Sequence, residues 1–188
     1  MNKKFKKSYT KNMKTKLLRF EIIMTIFIII AGILLHFSYK WSNENQIVGI
    51  FSAVNESTWE HLKLIFFPML ITIIIGTFYY KGEYESYLCI KTKGLLISLV
   101  SIIVLFYTYS GVLGNNISAI NIGIYIVSVI IGQIYSYDRL NDIAICNNKI
   151  AIGVLITLLI SFVVFTFYTP EIGIFEDPTT NTYGINKK

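Results

Sequence analysis

Five apolar stretches decide what this chain can become: Phe20–Tyr39, Leu62–Tyr80, Gly94–Leu113, Ile120–Tyr137 and Ile150–Thr169. A helix needs about 20 mostly apolar residues to cross hydrocarbon, and each stretch is near that length. The fourth is the shortest, diluted by Gln133, Ser136 and two glycines. Backbone groups in lipid must bond within their own segment, and period-two alternation is too sparse for a barrel, so the stretches predict helices. Composition agrees: 54% of residues are hydrophobic and 15% charged, where a soluble domain carries about a quarter charged. The expected fold is an all-α integral membrane bundle of five transmembrane helices. It divides into a basic segment 1–19, the helical domain 20–169 and a tail 170–188. Five spans and their connections leave no length for a soluble domain.

Charge supplies the threading. With the N-terminus inside, thirteen lysines and arginines fall on the inner side, from Lys3 to Lys149, and four fall outside: Lys40, Lys63, Lys187 and Lys188. That asymmetry over short loops predicts the N-terminus in the cytoplasm and the C-terminus outside, in the cell membrane. The acids run the other way, with six outside and five inside, Asp142 among the latter. The net charge of +6 therefore reads as topology and attraction to anionic headgroups at the N-terminal segment, with no nucleic-acid partner. The block after Arg19 is too long for a signal-peptide core and lacks a cleavage pattern, so it is read as an uncleaved anchor. Cys89 and Cys146 fall on the inner side, show no disulfide framework or metal spacing, and are taken as free thiols. Asn55-Glu56-Ser57 and Asn116-Ile117-Ser118 match the glycosylation sequon.

Small residues at three- or four-residue spacing mark helix contacts in lipid. They occur as Pro68, Thr72 and Gly76; Ser98, Ser101 and Thr108; Ser128, Gly132 and Ser136; and Gly153, Thr157 and Ser161. Pro68 should kink the second span unless neighbours re-satisfy the freed carbonyl. No charge is expected at mid-membrane, which counts against an ion pump or a proton-coupled carrier. In the first span Glu21, Thr25, Gly32 and His36 share a face, with Glu21 expected to pair with Arg19, Arg139 or a nearby lysine.

The chemistry concentrates in Val54-Asn55-Glu56-Ser57-Thr58-Trp59-Glu60-His61-Leu62-Lys63. In a continuous helix Glu56, Glu60 and Lys63 form one stripe, while His61 points roughly 140° from Glu56. Either the carboxylate pair recruits a group from another segment, or the helix begins near Ser57 and Glu56 lies on a folded loop. A bland reading exists as well. Ser57-Thr58-Trp59-Glu60 is a capping-box pattern, and Trp59, Trp41, Tyr39 and His36 suit an aromatic interfacial belt. The functional reading takes His36, Glu56, Glu60 and His61 as ligands of a divalent metal such as zinc, with Glu56, Glu60 and His36 as acid/base groups. Two histidines and a glutamate leave zinc an open water position, although H-E-x-x-H is missing and the histidines stand 25 positions apart. The tail, with Ile172, Ile174, Phe175, Tyr183 and Ile185, is too apolar for a free end and should fold back over the outer mouth.

These segments carry a resemblance. Leu35-His36-Phe37 with Trp41, the run Phe51 to Lys63, and Phe165-Thr166-Phe167-Tyr168 with Asp177-Pro178 and Tyr183-Gly184-Ile185 resemble an uncharacterised family. Its members are small multi-pass membrane proteins of Firmicutes-type bacteria, grouped under a domain of unknown function. The resemblance spans essentially the whole chain and implies no activity. Two functions stay open: a metal-dependent membrane enzyme acting on a lipid or exported substrate, and a non-catalytic accessory subunit or oligomeric small-solute carrier. A homo-oligomer or a partner subunit fits the second. Reporter fusions after Lys93 and Lys149 are expected to read cytoplasmic, and fusions after Asn116 and Lys188 external. A cytoplasmic C-terminus would remove one span, Ile120–Tyr137 first.

Overall fold

The computed structural model describes residues 3–140 and 146–185, with side chains from Met13 onward. Asp142, Lys187, Lys188 and the side chains of Lys3, Lys4, Lys6, Lys7 and Lys11, all used in the charge count, lie outside the described residues. Apart from one short hairpin the regular structure of the described chain is helical. Its elements are α1 (Lys3–Trp41), the single turn α2 (Gln46–Gly49), α3 (Thr58–Tyr79), α4 (Tyr87–Leu113), α5 (Ser118–Leu140) and α6 (Asn148–Phe167). A 3₁₀ turn, Gly173–Phe175, leads into the two-stranded hairpin, β1 (Glu176–Asp177) and β2 (Thr182–Tyr183), with Glu176 opposite Tyr183. Five helices are long and apolar enough to cross a membrane.

The α3 helix is central, with Leu62, Ile65, Phe66, Met69 and Ile73 all buried among its neighbours. The other long helices turn much of their apolar surface outward, as Ile22, Ile26, Val100, Ile134 and Ile156 show. An apolar exterior is what lipid contact requires.

Two of the small-residue stripes face neighbours as expected. On α3, Pro68, Thr72 and Gly76 are buried. On α5, Ser128, Gly132 and Ser136 are buried, and Gly132 meets Gly94 of α4 so closely that a Cβ on either would overlap the other's carbonyl. The α4 stripe holds in part: Ser98 is buried and packs against Gly132 of α5, whereas Thr108 is exposed. The α6 stripe is corrected, since Gly153 and Thr157 are exposed, and the hydroxyls of Thr108 and Thr157 bond to their own helix at Val104 and Gly153. Such back-bonding satisfies a hydroxyl without any partner helix, so spacing alone did not identify an interface.

Pro68 lies inside α3 without ending it. The carbonyl it frees belongs to Leu64, four residues earlier. The Tyr125 hydroxyl of α5 donates to Ile28 O of α1 at 2.8 Å and lies 3.5 Å from Leu64 O. Gly32 of α1 makes room for that hydroxyl, because a Cβ there would overlap it.

Two expectations are overturned at the Glu21 end of the bundle. The third span starts at Tyr87 rather than Gly94, so Lys91 and Lys93 belong to α4 and not to a connecting loop. Lys91 is 1% exposed. Its ammonium meets Glu21 Oε2 at 2.6 Å and Gln133 Oε1, while the Tyr87 hydroxyl donates to Glu21 Oε1 at 3.3 Å. A charged pair therefore sits within the apolar helices, one turn into α4. The apolar window began at Gly94 because a hydropathy scan stops at a lysine whether or not the helix does.

The cysteines are the second correction. Cys89 and Cys146 form a disulfide, with Cα atoms 5.8 Å apart, and are not free thiols. Their separation of 57 residues concealed the pairing, which the antiparallel return of the chain to the Glu21 end creates. Asn148 reinforces the junction by accepting from Cys89 N–H at 3.1 Å and donating to Glu85 O at 2.8 Å. Lasting disulfides belong to oxidising compartments, whereas the charge asymmetry of the sequence predicts a cytoplasmic position for this end. The reporter fusions after Lys93 and Lys149 decide between the two.

The Glu21–Lys91 pair yields a stability test. Glu21→Leu or Lys91→Met alone strands a buried charge and is expected to cost about 3–5 kcal/mol. The double variant should cost far less than the sum, because neither charge is then left alone. Thermal unfolding in detergent measures both, and additive losses would contradict the pairing.

Candidate metal centre

The site forms where α1 ends and α3 begins, and its shape follows from where α3 starts. Ser57 is the N-cap of α3, accepting from Glu60 N–H at 3.3 Å. Glu56 thus precedes the helix, which realises the folded-loop alternative. Freed from the helical stripe, its carboxylate reaches both histidines. Glu56 Oε2 lies 3.5 Å from His61 Nε2, and Oε1 lies 3.9 Å from His36 Nε2. The two imidazole centroids stand 5.2 Å apart. One ligand atom from each of His36, Glu56 and His61 falls within 4.8 Å of the others.

The ring orientations have separate causes. His61 Nδ1 lies 2.8 Å from the Ser57 carbonyl. A carbonyl can only accept, so Nδ1 carries a proton and Nε2 is the nitrogen turned toward Glu56. A second hydrogen bond of this kind is what orients a metal-ligating histidine. His36 packs edge-on against Phe37, with centroids 4.9 Å apart, and its Nδ1 is buried without a hydrogen-bond partner. All three side chains are partly exposed, and the exposed Lys40 ammonium reaches to 4.0 Å from Glu56 Oε1.

Glu60 goes elsewhere. It is 2% exposed and paired with Lys63, which is 0% exposed. Its Oε2 accepts from Val54 N–H at 3.0 Å. The expected capping box therefore exists in half: the Ser57 hydroxyl caps Glu60 N–H, but the glutamate reaches Val54 rather than Ser57, whose N–H donates to Asn55 Oδ1 at 2.9 Å. Lys63 uses all three of its protons, on Glu60, on Gly49 O at 2.8 Å and on Thr166 Oγ1 at 3.0 Å. Among the sequence candidates the structure brings His36, Glu56 and His61 together, and it places Glu60 in a pair of its own.

The tail packs beside the site. Phe175 is buried against Trp59 and Phe165, with centroids 4.8 and 5.4 Å away, while Tyr183 stays half-exposed. Asp177 is 4% exposed and accepts from Glu56 N–H at 3.3 Å through Oδ2. Its Oδ1 takes Thr179 N–H at 2.7 Å and the Thr179 hydroxyl at 2.6 Å. Burial pushes this carboxyl up, but the hydrogen bonds from Thr179 and Glu56 outweigh it and hold it below its ordinary value. Asn55 donates to Gly184 O at 3.0 Å and is itself buried, so its sequon is not available for a glycan. Sequence reasoning did not single out Asp177 or Asn55 for the site. The one signal for Asp177 was an acid followed by Pro and Thr in an apolar tail.

The two glutamates should behave differently. Glu60→Ala strands the Lys63 charge and is expected to lower stability by about 3–5 kcal/mol. Glu56→Ala should change it by no more than about 1 kcal/mol, as for an exposed ion pair. Chemical or thermal unfolding separates the two, and equal losses would refute the division of roles.

No curated protein and no solved structure matches the chain. Residues 7–185 match a family described as a family of unknown function, DUF6512. That span takes in all five long apolar helices, the His36–Glu56–His61 cluster and the hairpin. The chain therefore belongs to the DUF6512 family of unknown function.

Proposed function

We propose that this protein is an integral membrane protein that binds a divalent metal ion, zinc being the best fit, through His36, Glu56 and His61 at the extracytoplasmic boundary. The positive-inside charge asymmetry supports that orientation, with the N-terminus in the cytoplasm and the hairpin outside. The observation that carries the metal reading is the convergence of three ligand atoms within 4.8 Å, with His61 Nε2 already turned toward the site by the Nδ1 bond to the Ser57 carbonyl. Ligand atoms around tetrahedral zinc stand about 3.3 Å apart, so the three groups, now within 4.8 Å of one another, would draw together around the ion. Two neutral imidazoles and one carboxylate leave a net positive charge on the ion and one position open to water.

A metal in that setting supplies Lewis acidity and a water acidic enough to attack at neutral pH. The proposed activity is metal-dependent hydrolysis of a lipid or an exported substrate. The exposed Phe37, packed on His36, and Trp41, stacked on Phe37, put apolar surface beside the cluster, and Lys40 offers a cation to an anionic group on the substrate. Glu60 has no part in this scheme because Lys63 and Val54 occupy it. The alternative is a non-catalytic accessory subunit or an oligomeric small-solute carrier, to which the charged Glu21–Lys91 pair inside the bundle lends support.

Zinc or cobalt titration of the purified protein is expected to show one ion per chain. His36→Ala, Glu56→Gln and His61→Ala should each weaken binding at least about 100-fold, the upper end of what loss of a merely orienting partner costs. Glu60→Gln should retain the ion. Unchanged binding in all three single variants would overturn the assignment. A stoichiometric partner chain, with metal bound but no hydrolysis of lipid or peptide esters, would favour the accessory reading.

A further inference from the structure

We infer that the C-terminal hairpin is a clasp that sets the geometry of the metal centre, with Asp177 and Asn55 as its positioning residues; this rests on the metal reading above. The loop that carries Glu56 sets the requirement. A carboxylate on an irregular segment holds a ligand position only if its backbone is held, because each loop residue has φ and ψ to lose. Between α2 and α3 the chain runs through Ser52 to Ser57 without regular structure. Its three last residues each carry part of the site: Asn55 orders Ser57, Glu56 supplies the carboxylate, and Ser57 supplies the carbonyl that fixes the His61 proton.

Two of those three residues are bonded directly to the hairpin segment. Glu56 N–H donates to Asp177 Oδ2, and the Asn55 amide donates to Gly184 O. The division of labour within Asp177 is what makes it a positioning group. Its Oδ1 accepts from Thr179 in its own turn and its backbone carbonyl receives Asn181 N–H at 2.8 Å, while Oδ2 accepts from Glu56 N–H across the gap to the loop.

The Asn181 N–H to Asp177 O bond closes the turn between the two strands, so Asp177 is held before it meets the loop. The hairpin is in turn wedged onto the bundle by Phe175, which packs on Trp59 at the second residue of α3. A tail serving only as a cover would need the aromatic wedge and nothing more. Here its polar groups are spent on the loop that bears the ligand.

The test compares Asp177→Ala and Asn55→Ala with a control, Glu171→Ala, whose side chain is exposed at the start of the tail. Cobalt(II) titration of the full-length protein reads metal affinity, and hydrogen exchange at the Glu56 and Ser57 amides reads the clasp without any metal. Asp177→Ala and Asn55→Ala are expected to weaken cobalt binding about 10–100-fold, the range for residues that orient ligands, and to speed exchange at both amides. Glu171→Ala should do neither. Asp177→Asn, which has one oxygen for two sets of donors, should lose less affinity than Asp177→Ala without reaching the wild-type value. Wild-type affinity in Asp177→Ala would overturn the clasp and leave the metal centre standing. If the wild-type protein binds no cobalt, the metal reading fails, and unchanged amide exchange in Asp177→Ala would then overturn the clasp as well.

Discussion

An ammonium group cut off from water must find an acceptor in the protein for each of its three protons, and the His36 end of this fold is arranged around that demand at Lys63. Its partners come from three places: Glu60 one turn back on α3, the Gly49 carbonyl at the end of α2, and Thr166 near the end of α6. Satisfying Lys63 therefore fixes the turn before α3 and the last turn of α6 against α3 at once. It also settles which glutamate is available for chemistry. Glu60 is committed to neutralising Lys63, whereas Glu56, on the partly exposed loop, is left to face two imidazoles. The same sequence stretch thus contains a structural carboxylate and a chemically free one, four residues apart.

The opposite end of the bundle uses the same physics with different parts. Lys91 of α4 meets Glu21 of α1 and Gln133 of α5, so one ammonium joins three helices. Removing either member would leave a charge with no solvent to receive it, a larger penalty than the pair's own net contribution. Each pair is neutral as a whole, which is how charged residues become compatible with helices otherwise suited to hydrocarbon.

Much of the architecture was legible because lipid imposes so strict a pattern. The five apolar runs located the five long helices, and the helical start near Ser57 was one of two readings the cluster allowed. The misses have physical causes. A hydropathy window cannot tell a lysine that ends a helix from one buried inside it, which is why the window leaves Lys91 in a loop. Spacing alone cannot tell a hydroxyl bonded to its own helix from one at an interface, which is why Thr108 and Thr157 mislead. The Cys89–Cys146 bond depends on chain return over 57 residues. Within the cluster, the direction of Glu56 turned on where one helix begins: at Thr58 rather than before Glu56. Both possibilities were visible in the sequence, but only the fold decides between them.

Gly32 and His36 are four residues apart on α1, so they lie on the same face one turn from each other. The Tyr125 hydroxyl docks into the space that Gly32 leaves and bonds to the α1 backbone at Ile28. That contact sets how far α1 is rotated about its own axis, and the rotation in turn aims the imidazole at α3. The two positions are separated by roughly 6 Å along the axis, at about 1.5 Å per residue. A residue with no side chain of its own therefore acts as the sight by which a ring one turn away is pointed at its target.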